Sequence, residues 1–278
     1  NHDPIAVNVD AGIWNWSGVF GANMMKDMTE EGLAGVSKHY LFDDYWPGST
    51  ETCIWKNVVG FLTECASAQY AKPVYVEPGE LGVIGKGLSE YEKSINMPMP
   101  WKGGWWRLSD ILDYEMVSTL AVIKTCSLHR EDILNFRNEL CSREVERGKG
   151  SYFILPARQH DSSALVGLVN LMLDHGVKLW RLEEETVLEE KVYGEGSVVI
   201  PLAQPFRPFI REVMERQDYP ERHYTPGGEL IKPYEVTSWS FPLCRGVRCH
   251  EVKSSSARFE GRISEISAPF TLLEREGA

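Results

Sequence analysis

Apolar positions along this chain follow two patterns, and each predicts a different element. Val58-Val59-Gly60-Phe61-Leu62-Thr63 is a continuous apolar run of strand length, which predicts a buried strand running into Glu64-Cys65-Ala66-Ser67. From Ser109 the apolar residues Ile111, Leu112, Met116, Leu120 and Ile123 recur at helical spacing, with Ser109 and Asp110 as natural caps. A short helix is expected over 24–31, stopping at Gly32, and a second long helix over 130–145. Between them lie a polar, aromatic loop over 43–50, turned by Pro47-Gly48, and a Pro/Gly/Trp-rich loop over 98–106.

After the charged end of the second long helix, Gly148-Lys149-Gly150 breaks the pattern. Beyond it come a short strand over 152–155 that stops at Pro156, and an amphipathic helix over 161–174 with Asp161 as its cap and Gly176 past its end. Strands follow over 177–182 and 198–202, then a helix over 205–216 with proline in its first turn, and a modest strand signal over 268–273. Strand, helix, strand, then strand and helix predicts a parallel sheet with crossover helices. The fold class expected is therefore α/β, with one domain over 1–148 and a smaller α/β domain with a tail over 149–278.

Composition narrows the function. Hydrophobic residues at 43% and charged residues at 25% exclude a disordered chain. A net charge of −11 repels phosphate backbones and anionic headgroups, so neither nucleic acid nor a membrane surface is an expected partner. No apolar run approaches the about 20 residues of a membrane-spanning helix. The six cysteines are too few for a disulfide scaffold, although Cys244 and Cys249 could close a small loop. Asn15-Trp16-Ser17 fits a glycosylation sequon, and the composition leaves the compartment open. The chain opens Asn1-His2-Asp3-Pro4, with neither an initiator Met nor a signal segment, which suggests that residues precede it.

Read alone, the chain supplies no complete catalytic set. No histidine is followed by glutamate three residues on, and there is no HExxH, GxSxG, GxGxxG or P-loop pattern. His129 and Asp132 are one helical turn apart, as helix pairs routinely are. Cys244 and Cys249 are too widely spaced for a CxxC site.

Five stretches in order nevertheless carry a family resemblance. They are Phe42-Asp43-Asp44-Tyr45-Trp46-Pro47-Gly48, Val59-Gly60-Phe61-Leu62-Thr63-Glu64-Cys65-Ala66-Ser67, and Pro100-Trp101-Lys102-Gly103-Gly104-Trp105-Trp106-Arg107-Leu108-Ser109-Asp110-Ile111. Leu202-Ala203-Gln204-Pro205-Phe206-Arg207 and Pro233-Tyr234-Glu235-Val236-Thr237-Ser238-Trp239 follow. Together they resemble the later part of bacterial zinc carboxypeptidase-like proteins and the domain after it. The resemblance implies that 1–148 is the C-terminal half of a mixed-sheet catalytic domain. It also implies that 149–278 is an accessory domain of amidotransferase-like α/β fold without the nucleophile. The zinc ligands of that family, a His-x-x-Glu pair and a later histidine, map before Asn1, so none is assigned here and His2 is not taken as one. Zinc would belong to the complete protein, in a secreted or periplasmic setting.

The resemblance makes Glu64 the catalytic glutamate, and the chemistry suits it. Zinc makes water nucleophilic at neutral pH, and a rigid, partly desolvated carboxylate takes the water proton and returns it to the leaving amine. Tyr45 and Trp46 stand where the family carries an aromatic that covers the peptide substrate, the alternative being aromatics that pack their own loop. Gln204, Arg207, Tyr234 and Trp239 are candidates for an interface or pocket in the second domain. The tryptophans over 101–106 fit either a sugar-stacking platform or, in preference, a loop pinned to a core. A half domain should expose sheet edges and apolar surface, inviting its missing half or self-association, and should be inactive alone. The competing reading is a non-catalytic binding or structural module derived from a peptidase.

Overall fold

The computed structural model describes residues 3–38, 45, 52–83, 90–233, 239–253, 259, 263–267 and 269–271. It is a mixed α/β chain that divides into two compact units. The first comprises Asn1–Ile54, Val58–Phe136 and Tyr219–Val236, and the second Trp55–Asn57, Arg137–Asp218 and Thr237–Ala278.

The first unit is built on two helices, α1 (Ala11–Glu30) and α2 (Leu108–Leu128). Asp10 caps α1 by accepting the Gly12 N–H at 2.9 Å. The helix begins well before residue 24, because Gly18 and Gly21 interrupt the apolar pattern without breaking the backbone. At α2 the carboxylate of Asp110 accepts the Arg107 N–H at 2.8 Å, so Asp110 sits inside the first turn and reaches back to the true cap, Arg107. The small side of α2 faces inward. Ser118, Ala121 and Thr125 are its buried residues, Ala121 packs with Phe20 and Met24, and Asn23 donates to the Thr125 hydroxyl at 3.1 Å. The apolar stripe that announced the helix therefore faces out: Leu112, Met116, Leu120 and Ile123 are 56–61% exposed.

A short antiparallel pair, β1 (Val74–Val76) and β2 (Gly104–Trp106), completes this unit's regular structure. Gly103 leads into β2 at φ +85°, and a Cβ there would lie 2.6 Å from the Val76 carbonyl, so only glycine fits the approach. The strand expected at 58–63 does not form. This segment runs without turn or bend through residue 68 but has no ladder, since no described strand lies beside it.

Helix α3 (Arg130–Gly148) follows α2 directly, and its later turns belong to the second unit. That unit's five-stranded sheet combines β3 (Ser151–Leu155), β4 (Trp180–Leu182), β7 (Val198–Pro201), β8 (His250–Lys253) and β9 (Ile263–Glu265) in the order β8-β3-β7-β4-β9. Helices α4 (Ser162–Asp174), α5 (Arg207–Met214) and the short α6 (Phe241–Arg245) accompany it. Asp161 caps α4 as the sequence indicates, accepting from the N–H groups of Ser163 and Ala164.

The expected parallel sheet is corrected here: every pairing is antiparallel. Strands β3 and β4 do run parallel to each other across the α4 crossover, but β7 lies between them in the opposite direction. The strand-helix-strand pattern gave the sense of two strands without revealing that a third separates them. Val198, Val199 and Ile200 are all fully buried, so both faces of β7 are covered, which is why its sequence reads as an unbroken apolar run.

A hairpin of β5 (Thr186–Leu188) and β6 (Lys191–Tyr193) also went unseen in the sequence. Its two-residue turn places Glu189 and Glu190 at φ 45° and 64°, where Asn-Gly is usual. The Glu189 carboxylate offsets that strain by accepting the Lys253 N–H of β8 at 2.7 Å. Leu188 and Tyr193 join Ile154, Leu182, Val199 and Val252 in one core cluster. Of the strand expected over 268–273, residues 268, 272 and 273 lie outside the described residues. β9 forms slightly earlier instead.

Candidate functional site

The segment carrying Glu64 is fastened to helix α1 before it and to strand β2 after it. The Ser17 hydroxyl lies within donating distance of the Gly60 carbonyl (3.2 Å) and of the Ile13 carbonyl of its own helix (3.0 Å). Beyond Glu64, the Trp106 indole donates to the Ala66 carbonyl at 2.8 Å. Side chains of this segment also meet the helices. Val59 and Phe61 pack on the α1–α2 cluster, Phe61 lying 5.3 Å from the Phe20 ring, and the Cys65 thiol bonds to Glu115 of α2. Thr63 and Glu64, between Phe61 and Cys65, are exposed.

Glu64 lies on the wall of a cavity of about 1000 Å³ within the first unit. The α1 side of that wall is made of Trp14, Ser17, Gly18, Gly21 and three methionines, 24, 25 and 28. A Cβ at Gly18 or Gly21 would meet no atom within 4 Å. The helix thus carries two interior glycines, each costing about 1 kcal/mol relative to alanine, where they leave the cavity open. Tyr91, Tyr114, Trp101 and Trp106 line another part. Trp106 packs edge-on against both Trp101 and Tyr114, at 5.8 and 5.2 Å, while Tyr91 and Tyr114 donate to the carbonyls of Trp101 and Ala34. Trp101 and Trp106 therefore pin the Gly-Gly loop and hold the cavity wall, as the packing interpretation of that cluster anticipates.

Among the described residues the charged groups on the wall are mostly acidic: Asp3, Glu64 and Glu115 against Lys38. Burial, and then Glu115, push the Cys65 thiol up to about 11. It therefore stays protonated at neutral pH and is not a nucleophile. Burial likewise raises Tyr114 above the ordinary phenol range. Among the described residues no histidine lines the cavity, and no group of three or more His, Cys, Asp or Glu is placed to hold a metal ion.

The other sequence candidates lie apart from this wall. Tyr45 is 2% exposed, packed edge-on against Tyr219 at 5.2 Å, and does not line the cavity. Trp46 and Tyr234 lie outside the described residues. Gln204 is a backbone clip: its amide accepts the Lys178 N–H and donates to the carbonyls of Lys178 and Pro201. Arg207 is bound to the buried Glu144 at 2.8 Å. Neither side chain is available to a ligand. Glu115, Tyr114 and Ser118 escaped notice because α2 was legible only by its apolar stripe, and they lie off that stripe. The interior glycines of α1 were the available signal.

Compared with protein-family models, curated proteins and solved structures, the chain gives no significant match to any of them.

Proposed function

We propose that this chain is part of a zinc carboxypeptidase-type hydrolase that cleaves peptide bonds, with Glu64 as the carboxylate that accepts and returns the proton. The observation that supports it is the position of Glu64. It is exposed at a large, largely apolar cavity, on a segment fastened by Ser17 before it and Trp106 after it. A general base needs such fixed placement, because proton transfer depends on holding its oxygen within hydrogen-bond reach of the attacking water. The apolar and aromatic wall offers room for a peptide side chain.

The described residues around Glu64 do not form a donor set for zinc, and in this reading, as the resemblance implies, the ligands come from outside the chain. The substrate contact attributed to Tyr45 would require its buried ring to leave Tyr219. Trp46 keeps its proposed role on resemblance alone. The competing reading, a non-catalytic binding module, draws support from the exposed apolar face of α2.

The test uses the protein as isolated from its source, with zinc measured by atomic emission. It is assayed on a peptide with a free C-terminus beside the same peptide amidated. Expected are release of the C-terminal residue from the free peptide, loss on chelation, and a fall in kcat of at least about 100-fold in Glu64→Gln with zinc retained. Full activity in Glu64→Gln would overturn the assignment. Absence of both zinc and hydrolysis would favour the binding module.

A further inference from the structure

The backbone around Glu64 has an unused edge. Val58 donates its N–H to Cys53, but none of the N–H groups from Phe61 to Ser67 donates to another part of the protein among the described residues. The two engaged carbonyls, Gly60 and Ala66, share even parity and so lie on one side of the extended segment. The opposite edge, bearing the N–H and C=O groups of Phe61, Thr63 and Cys65, has no hydrogen-bond partner among the described residues. Among the described residues these seven successive N–H groups have no protein acceptor, and they lie beside a cavity of about 1000 Å³, so the segment offers a template for an added strand.

We infer that this edge, 59–66, takes up an extended strand of a separate partner polypeptide, neutral or basic with alternating apolar residues, whose side chains enter the cavity. Strand addition supplies what the edge lacks: donors and acceptors at the strand spacing, and apolar side chains on alternate positions. Charge selects the kind of strand. Among the described residues of the wall, Asp3, Glu64 and Glu115 outnumber Lys38, and a second copy of a chain carrying −11 would bring like charge to it. Strand uptake stands apart from the proposed catalytic role of Glu64.

The probe is a blocked eight-residue peptide of alternating valine and lysine, added to the full chain, with amide hydrogen exchange read by NMR. Without peptide, the amides of Phe61, Thr63 and Cys65 should exchange at nearly the free-chain rate. Saturating peptide should slow them at least about tenfold, with α1 and α2 unchanged. Thr63→Pro deletes an open-edge donor that the isolated chain does not use, so it should abolish the slowing and leave helix exchange intact. Protection of these amides before peptide is added would overturn the inference, as would slowing that survives Thr63→Pro or no slowing at saturation. Sedimentation showing a dimer that Thr63→Pro dissolves would also overturn it, by making a second copy the occupant. Hydrolysis is not read, so a failure of Glu64 as base would leave this result standing.

Discussion

The indole nitrogen of Trp106 donates to the carbonyl of Ala66 at 2.8 Å, two residues beyond Glu64, and Trp106 is held in turn by Trp101 and Tyr114. The Gly-Gly-Trp-Trp loop is thus a brace for the segment that carries the candidate base. Trp106→Phe keeps an aromatic ring against Trp101 and Tyr114 and removes the donor. It should cost about 1 kcal/mol in urea unfolding and speed exchange of the amides that follow Ala66. Unchanged exchange there would mean that the bond does not restrain the segment.

Gly18 and Gly21 test whether the cavity is retained at the expense of stability. A methyl at either position has open space and removes the helix penalty of glycine. Gly18→Ala and Gly21→Ala should each therefore stabilise the chain by about 1 kcal/mol by denaturant midpoint. A loss of stability in either would show that the space is smaller than the geometry indicates.

Helices, caps and the buried strand of the second unit were legible because each rests on local chemistry. Asp161 caps α4, and the run ending at Leu202 forms β7. What escaped was non-local. Nothing between Tyr152 and Leu182 signals that β7 separates β3 from β4, and the turn at Glu189-Glu190 has no turn-forming residue because its strain is met by a bond to Lys253. In the candidate site, Glu64 came from resemblance. Its neighbours on α2 stayed hidden because a helix announces its apolar face, and here that face is turned to solvent.

His175 makes the second unit sensitive to acid. Lys56 places its ammonium 3.0 Å from the ring Nδ1 and donates to the His175 carbonyl at the end of α4, with the Phe209 ring beside both. Burial first, and then Lys56, hold the His175 pKa below 6.5, against an opposing pull from Asp174. The folded state therefore binds this proton less readily than the unfolded chain. Stability is fully present above pH 6.5 and falls as pH drops through the folded pKa. His250, depressed by burial and by Lys191 and Arg248, acts in the same sense. The urea midpoint should be lower at pH 5 than at pH 7.5, and His175→Gln should shrink the difference. An unaltered pH slope in that variant would remove His175 as the cause.

Glu144 tests a buried charge. Its carboxylate, 3% exposed, bridges Arg147 of α3 at 2.7 Å and Arg207 of α5 at 2.8 Å. Glu144→Ala leaves Arg207 with an unpaired charge and should cost about 3 kcal/mol. Glu144→Gln, which keeps the shape and an acceptor, should cost less. Equal losses in the two variants would mean that packing, not charge, makes this position matter.

Gly148 closes α3 at the point where the sequence pattern changes, and its reason is steric. A Cβ there would lie 1.9 Å from the Leu202 carbonyl oxygen and 2.5 Å from the Ala203 nitrogen, at the start of the connection from β7 to α5. Both neighbours are backbone, so neither can rotate away, and Leu202 is itself tied by its N–H to the Ser151 carbonyl at 2.9 Å. Gly148→Ala should therefore destabilise by about 1–3 kcal/mol, although alanine is the better helix former. Because Gly18→Ala and Gly21→Ala are expected to change stability in the opposite direction, the three variants form one experiment on a single chemical change. If Gly148→Ala also stabilised the chain, the close packing of α3 on the β7–α5 connection would be wrong.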